Sequence, residues 1–195
     1  MSDDGRARAA DARFPVVEST VTHEGMMSTL RVDRVAMPGG RVASREVAQR
    51  PDAVAIVPLT ADGEVVMLRQ YRHPVGRYEL EIPAGLLDVE GEGEADAAQR
   101  ELVEEIGMTA GMLERLTRFW NSAGWSDEAT TVFVGRDLRA AAPDDDFVAE
   151  AEEADMQVLQ VPLDEAVALV RSARITDAKT VIGLLLVGCD GTIAL

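Results

Sequence analysis

Three glutamates lie within little more than one turn of a segment that has the pattern of an amphipathic helix. The stretch 85–108, GLLDVEGEGEADAAQRELVEEIGM, runs from a glycine-rich acidic loop into this helix, which carries Glu101, Glu104 and Glu105. At about 100° per residue, Glu101 and Glu105 fall on one stripe, and an apolar stripe that starts at Ala98 lies beside it. The carboxylates are therefore predicted to border the buried face of the helix.

Carboxylates this close together have two interpretations. They repel one another, by about 0.2–0.5 kcal/mol per pair on an exposed helix, and a divalent cation would replace that repulsion with ligation. Hard ions such as Mg²⁺ prefer carboxylate and carbonyl oxygens, and Mg²⁺ usually acts together with substrate phosphates. The alternative is a solvated acidic face, which is the usual meaning of a glutamate-rich helix. The glutamates alone leave both interpretations open.

The residues around the glutamates resemble the Nudix box, the signature of a hydrolase family that acts on nucleoside diphosphates linked to another group. Glu92 is followed by seven residues and then by the stretch 100–108, RELVEEIGM, which matches every fixed position of the helical half of the box. Six residues separate Gly85 from Glu92, where the common pattern has five, and a loop accepts such an insertion at little cost. We expect Arg100 to pair with Glu104 at i,i+4 and not to touch substrate.

The resemblance implies a set of metal ligands. The approach to the box, 78–85, is similar to that of ADP-ribose pyrophosphatases, in which the residue before the box glycine offers its backbone carbonyl to a metal. The matching residue is Ala84. The resemblance therefore implies two or three Mg²⁺ or Mn²⁺ ions held by Ala84, Glu101 and Glu105, with Glu104 assisting.

Two arginines lie near the end of the strand upstream of the box. The stretch 68–72, LRQYR, also resembles ADP-ribose pyrophosphatases, in which an arginine at the end of this strand holds the diphosphate; the matching residue is Arg72. The planar, permanently charged guanidinium suits phosphate oxygens. The alternative is that Arg69 and Arg72 form ordinary surface salt bridges.

The N-terminal part of the chain carries a possible contact to the nucleotide. Arg45 and Glu46 match an Arg-Glu pair that touches the nucleotide end of the substrate in ADP-ribose pyrophosphatases, although such a pair on an edge strand is also ordinary. In these enzymes the N-terminal subdomain is exchanged with a second subunit, so the resemblance implies a homodimer. Its small-molecule substrate would be a nucleoside diphosphate sugar.

The loop after the box strand, 119–128, matches the same group only in part. The proline that marks the group about sixteen residues beyond the box is absent, and Ala123 lies near that place, which leaves the identity of the substrate open. Trp120 and Trp125 could stack on adenine or ribose, but packing is expected for at least one of them.

A second acidic stretch, 143–155, reads PDDDFVAEAEEAD. Its composition is typical of a solvated acidic loop. In ADP-ribose pyrophosphatases a loop at this place carries the glutamate that orients or deprotonates the attacking water, and a loop glutamate could close over bound substrate. Glu153 is the first candidate for this role, Glu152 the second and Glu150 the third.

Composition excludes several classes of protein. The formal net charge of −16 and the pI near 4.4 argue against non-specific binding to nucleic acid or to an anionic membrane. The single cysteine, Cys189, excludes a disulfide framework and favours a cytoplasmic location. Because Cys189 follows an apolar run, we expect a packed and inert thiol.

The chain is predicted to have three parts. Residues 1–13 are expected to form a disordered tail, 14–50 an N-terminal β subdomain, and 51–195 the hydrolase domain. The fold class is α/β, namely the Nudix α/β/α sandwich with a mixed sheet that the resemblance implies, preceded by a small antiparallel β subdomain.

The hydrophobic periodicity predicts the individual elements. An antiparallel meander is expected over 14–48, and 53–59 with 64–71 should form a hairpin through the turn at Asp62-Gly63. Four further strands are predicted at 78–82, 113–119, 129–135 and 156–161. Three helices are predicted: 94–106, a helix capped by Asp164 that runs to 172, and 177–187.

The predicted reaction is hydrolysis of the diphosphate of ADP-ribose to AMP and ribose 5-phosphate. One alternative is another nucleoside diphosphate sugar or a dinucleotide as substrate. A second alternative is a catalytically silent Nudix-type binding module. Such modules usually lack box glutamates, and all of them are present in this sequence.

Overall fold

The structure is a computed structural model that describes residues 14–143 and 155–189. These residues divide into two compact units. The first contains residues up to Pro51 together with 122–128, and the second contains the rest. The segment 122–128 is distant in sequence from the rest of the first unit and joins it through contacts in space. The predicted tail, 1–13, lies outside the described residues.

The first unit is built on a three-stranded antiparallel sheet. Its strands are β1 (Val16–Glu24), β2 (Thr29–Ala36) and β3 (Val42–Gln49), in the order β1-β2-β3. This arrangement confirms the predicted meander. The segment 122–128 is held to the sheet because the N–H of Ala48 donates to the carbonyl of Trp125 at 2.8 Å.

The second unit contains two sheets and three helices. Its strands are β4 (Ala53–Pro58), β5 (Glu64–Arg72), β6 (Arg77–Glu81), β7 (Ala84–Leu86), β8 (Met108–Trp120), β9 (Ala129–Ala140) and β10 (Gln157–Pro162). Its helices are α1 (Glu94–Ile106), α2 (Leu163–Arg171) and α3 (Ala178–Gly188). One sheet has the order β7-β4-β9-β8, in which only β4 and β9 are parallel, and the other is antiparallel with the order β10-β5-β6.

Strand β4 lies at the centre of this unit and is buried along its whole length. Val54 and Ile56 belong to the apolar cluster that includes α1, whereas Ala55 and Val57 belong to the cluster that includes α3. A strand covered on both faces needs apolar side chains at every position, and the sequence AVAIVP supplies them. The helices on opposite faces confirm the predicted α/β/α sandwich.

Some predicted elements are wrong in detail. The turn at Asp62-Gly63 forms, with Gly63 at φ +81°, but β4 and β5 enter different sheets and share only the bridge between Leu59 and Val65. They are therefore not a regular hairpin. The reason is that β4 pairs in parallel with β9. This pairing depends on residues far away in sequence, so the residues of the turn do not predict it.

Two smaller corrections concern the C-terminal part. Helix α2 has Pro162 at its N-cap, and Asp164 instead accepts from the N–H of Glu165 at 2.8 Å, so Asp164 is not the predicted cap. Cys189 is exposed at the end of α3, contrary to the prediction of a packed thiol. Among the described helices, none is long and apolar enough to cross a membrane.

Candidate active site

Helix α1 places the three glutamates as predicted. The helix runs from Glu94 to Ile106 and ends because Gly107 adopts the left-handed conformation, φ 64°, with its N–H bonded to the carbonyls of the last turn. Leu102 is fully buried and Glu101 is only 8% exposed. The acidic stripe therefore borders the apolar face, where a charged group is partly withdrawn from water.

The short strand β7 brings the backbone before the box against the carboxylates. The N–H of Ala84 donates to Glu105 Oε2 at 2.9 Å. A Cβ atom added to Gly85 would lie 1.9 Å from Glu101 Oε1, so only glycine leaves room for that carboxylate. The box glycine is thus required by close approach of a side chain, and the stretch 84–85 and the acidic stripe form one site.

Arg100 joins the carboxylates of the box. Its Nε and Nη2 donate to the two oxygens of Glu92 at 3.0 and 3.1 Å, and its Nη1 donates to Glu101 at 2.6 Å and to Glu104 at 3.0 Å. The remaining contact is from Nη2 to the carbonyl of Leu86, at 3.2 Å. The predicted i,i+4 pair of Arg100 with Glu104 is therefore present as part of a larger group.

The charge of this group is strongly negative. Three carboxylates, those of Glu92, Glu101 and Glu104, surround one guanidinium, and the Glu105 carboxyl lies close enough to Glu101 to feel its charge. Burial and the neighbouring charge of Glu101 raise the pKa of Glu105 to about 8. The hydrogen bonds from Arg100 to Glu92 are the main reason that the pKa of Arg100 is raised above its usual value. An added cation would relieve this excess of negative charge.

The donor set fits a hard divalent cation. Carboxylate and carbonyl oxygens are available from Glu101, Glu105 and Ala84, and no sulfur or imidazole competes at these positions. Within 14–143 and 155–189, no three acidic, histidine or cysteine side chains converge into a ready metal cage. The predicted set of Glu101, Glu105, the assisting Glu104 and the carbonyl of Ala84 therefore stays a prediction.

Arg72 lies at the end of β5 and forms a two-point ion pair. Its Nε donates to Glu81 Oε1 at 2.7 Å and its Nη2 to Glu81 Oε2 at 2.8 Å. Burial alone would raise the pKa of Glu81, but the hydrogen bonds from Arg72 and the charge of Lys179 bring the pKa below its usual value. Both Arg72 and Lys179 also act electrostatically to lower the pKa of Glu105, so these cations lie near the box.

Glu81 and Lys179 were missed by the sequence analysis. Lys179 Nζ donates to Glu81 Oε2 at 2.6 Å and to Asp177 Oδ1 at 2.7 Å, across a sequence separation of 98 residues for the first pair. The available signal was composition, because Lys179 is the only lysine among 19 basic side chains. Arg69, the other arginine considered for a surface salt bridge, instead stacks on Tyr78 at 3.7 Å.

The remaining predicted residues occupy other places. Arg45 and Glu46 are exposed on β3 of the first unit, where Arg45 Nη1 donates to the carbonyl of Ser44 at 2.8 Å. Trp120 is half exposed at the end of β8, with Arg118 5.2 Å from its ring centre. Trp125 is also half exposed. The candidates Glu150, Glu152 and Glu153 lie outside the described residues.

Comparisons with known proteins agree with the geometry of the site. Residues 49–181 match the NUDIX domain family. The chain is 39% identical over 178 residues to the ADP-ribose pyrophosphatase of Mycobacterium tuberculosis, an alignment that covers 91% of this chain and 84% of the relative. It is 37% identical over 172 residues to the ADP-ribose pyrophosphatase of Bacillus subtilis, covering 84% and 88% of the two chains.

A solved structure gives the same result for the fold. The crystal structure of an ADP compounds hydrolase superposes with a TM-score of 0.78 at 25% identity, covering 91% of this chain and 93% of the other. An α/β/α sandwich that carries the complete box helix, with the box glycine against Glu101, defines a Nudix hydrolase. The chain belongs to the NUDIX domain family.

Proposed function

We propose that this protein hydrolyses the diphosphate of ADP-ribose to AMP and ribose 5-phosphate with the help of a divalent metal. One observation carries the proposal: Glu101 and Glu105 lie against the backbone at 84–85 in a group whose carboxylates outnumber its cations. The relatives in Mycobacterium tuberculosis and Bacillus subtilis, which are named ADP-ribose pyrophosphatase, support the choice of substrate.

The box residues hold the metal in this proposal. Glu101, Glu105 and the carbonyl of Ala84 are the ligands of two or three Mg²⁺ or Mn²⁺ ions, and Glu104 assists. When bound, the cations neutralise the diphosphate and make a water more acidic. Arg100 keeps Glu92, Glu101 and Glu104 in place, so the ligands need little rearrangement.

Arg72 binds the diphosphate. Its ion pair with Glu81 uses Nε and Nη2, which leaves the N–H groups of Nη1 for a phosphate oxygen. The Arg72 side chain is 38% exposed, so a ligand can reach it. A guanidinium fixed in this way binds without losing much rotational freedom, and positioning of this kind supplies a large part of catalysis in phosphorus–oxygen displacement.

Residues outside the box recognise the rest of the substrate. Arg45 and Glu46 contact the nucleotide end, and Trp120 stacks on adenine or ribose. Glu153, with Glu152 as the second candidate and Glu150 as the third, orients or deprotonates the attacking water. The exposure of Trp120 and of the Arg45 side chain supports these roles, since both can meet a ligand.

The protein acts as a homodimer in the cytoplasm. The first unit exposes several large apolar side chains, which supports its use as an interface. They include Phe14, Val16, Val17, Val21, Met26, Met27, Leu30, Val42 and Trp125. The single cysteine suits a reducing compartment. Light scattering of the purified protein tests the dimer, since a particle of about 42 kDa is expected from the 21.0 kDa chain.

The reaction is tested by incubating purified protein with ADP-ribose, ADP-glucose and NADH in the presence of Mg²⁺ and separating the products by chromatography. We expect AMP and ribose 5-phosphate from ADP-ribose, at a rate above those for the other two compounds. Equal turnover of all three would refute ADP-ribose as the substrate. Binding of ADP-ribose without turnover of any compound would favour a non-catalytic module.

A further inference from the structure

We propose that Lys179 is the positioning residue of the diphosphate-binding arginine: it holds the Glu81 carboxylate and, through Glu81, the guanidinium of Arg72. This inference rests on the proposed function, because it assumes that Arg72 binds the diphosphate. It adds a second sequence region, the beginning of α3, to the machinery of the site.

The contacts define a chain of fixed charges. Glu81 is 2% exposed and accepts from Arg72 through both oxygens, and Lys179 donates to one of the same oxygens. Lys179 also donates to Asp177 Oδ1. Two cations and two carboxylates thus form a group that is neutral in sum. Loss of Lys179 would leave an extra negative charge where an anionic substrate must bind.

The beginning of α3 is anchored independently of Lys179. Asp177 Oδ2, and not the oxygen bound by Lys179, accepts from the N–H and the hydroxyl of Thr180 at 2.9 and 2.6 Å. The Thr180 hydroxyl oxygen in turn accepts from the N–H of Ile82 at 3.0 Å. The helix cap and its attachment to 81–82 can therefore survive replacement of the lysine, which separates its role from that of the cap.

Lys179 differs in chemistry from every other basic side chain of this protein. The other 18 basic side chains of the protein are arginines, and the only lysine lies in this group. A compact ammonium can donate to both Glu81 Oε2 and Asp177 Oδ1 while Arg72 keeps its own bond to Glu81 Oε2. A planar guanidinium is larger and prefers to take both oxygens of a carboxylate, so at position 179 it would compete with Arg72.

The test is a double-mutant cycle on kcat/KM for ADP-ribose with Lys179→Met and Arg72→Met. We expect Lys179→Met alone to lower kcat/KM about tenfold, mainly through KM, and to change it less than about twofold when Arg72 is already methionine. An equal tenfold loss in both backgrounds would overturn the inference, because Lys179 would then act directly on substrate or only on stability. Arg174→Met is the matched control; it removes one exposed positive charge five residues before Lys179 in sequence and should leave kcat/KM unchanged.

A second variant addresses the chemical identity of the residue and covers the case in which Lys179→Met does not fold. Lys179→Arg keeps the charge, and we expect it to raise KM severalfold because the second guanidinium displaces Arg72 from Glu81. Wild-type kinetics for Lys179→Arg would contradict a requirement for the compact ammonium.

The only lysine also provides a direct spectroscopic measurement. Isotope-labelled lysine gives one side-chain signal, and we expect that signal to shift in Glu81→Gln and in Arg72→Met but not in Arg174→Met. A lysine signal that does not shift in Glu81→Gln would exclude the ion pair between Lys179 and Glu81. This measurement does not depend on any substrate.

Failure of the proposed function can be distinguished from failure of this inference. Affinity for methylenediphosphonate, a diphosphate analogue that cannot be hydrolysed, is measured over the same cycle by calorimetry with Mg²⁺. If wild-type protein leaves ADP-ribose intact but shows coupling of Lys179 to Arg72 in this affinity, only the substrate assignment fails. If ADP-ribose is hydrolysed and the coupling is absent, only the positioning role fails.

Discussion

Two groups of charged side chains lie near the box helix, and they differ in the balance between positive and negative charges. Around Arg100, the carboxylates of Glu92, Glu101 and Glu104 share one cation, and Glu105 adds a further negative charge whenever it loses its proton, which its raised pKa of about 8 opposes. Around Glu81, the cations Arg72 and Lys179 are matched by two carboxylates, so that group is neutral. The first group is therefore suited to bind an added cation. The second group has no net charge, so its ion pairs can fix the positions of its own side chains.

This difference in charge balance predicts which substitutions lower the rate of the reaction and which weaken the binding of substrate. A ligand of the unbalanced group acts on the added cation itself, so its loss should mainly affect kcat. A member of the balanced group acts on the position of substrate, so its loss should mainly affect KM.

The largest effect is expected for Glu105→Gln. We expect turnover to fall at least about a hundredfold, because the amide no longer supplies the negative charge that a hard cation requires. The melting temperature without metal should barely change, since the amide oxygen can still accept from the N–H of Ala84. Glu114→Gln, which removes an exposed carboxylate on β8, is the control. A Glu105→Gln protein that unfolds would show that the residue is structural.

The second largest effect is expected for Gly85→Ala. The new methyl group would lie 1.9 Å from Glu101 Oε1, so the carboxylate must move away from its place beside β7. We expect Mg²⁺ affinity in calorimetry to fall about tenfold or more, because a displaced ligand costs on the order of 1.4 kcal/mol or more. Gly124→Ala serves as the comparison, since nothing lies near the added atom there. Unchanged affinity in Gly85→Ala would argue against Glu101 as a ligand.

The apparent affinity for Mg²⁺ should depend on pH through Glu105. Its pKa is raised to about 8, so at pH 6 the metal-free protein holds a proton that metal binding must release. The association constant should rise by up to about tenfold per pH unit below 8 and level off above it. Calorimetry between pH 6 and pH 9 checks this, and Glu105→Gln should remove the slope. A flat profile in wild type would contradict the raised pKa.

The same shift has a consequence for the metal-free protein. A carboxyl whose pKa is raised on folding binds more protons in the folded state between its usual value of 4.5 and about 8. Stability should therefore fall as the pH rises through this range. Thermal unfolding with a chelator present measures the fall, and saturating Mg²⁺ should reverse it. A melting temperature that rises over this range would show that other groups dominate.

The smallest effect is expected for Arg100→Met. Three carboxylates lose their shared donor, and since the Arg100 side chain is 28% exposed, we expect a loss of about 1–2 kcal/mol, less than for a fully buried pair. That corresponds to a fall of about 2–8 °C in the melting temperature. Saturating Mg²⁺ should restore most of it, because added cations again offset the carboxylates. Arg139→Met, on the exposed part of β9, should change little by comparison.

The regions that were predicted well are those whose determinants are close together in sequence. Helix α1 has the predicted bounds because its apolar stripe and the glycine that ends it lie within 14 residues of one another. Helix α3 was predicted over 177–187 and runs from Ala178 to Gly188, and the Asp177 side chain that caps it accepts from Thr180, three residues away. In both helices, the residues that fix the end of the helix lie within or next to the helix itself.

The predictions that failed involve partners that are distant in sequence. Asp62-Gly63 has the residues of a hairpin turn, yet the strand before it, β4, pairs with β7 and β9, and the strand after it, β5, pairs with β6 and β10. The segment 122–128 clusters with the first unit through a backbone bond between Ala48 and Trp125, and such a bond leaves no trace in the side-chain pattern. Pairing of this kind depends on the whole set of strands.

The amino-acid sequence by itself determined the family, the box helix and the three glutamates, because a helix fixes the relative positions of side chains three and four residues apart. Only the tertiary structure decided that Gly85 lies under Glu101 and that Glu81 is shared by Arg72 and Lys179. Those contacts join different elements of the fold, and Glu81 and Lys179 are 98 residues apart. Their geometry depends on how the sheets and helices pack together, and no local pattern specifies that packing.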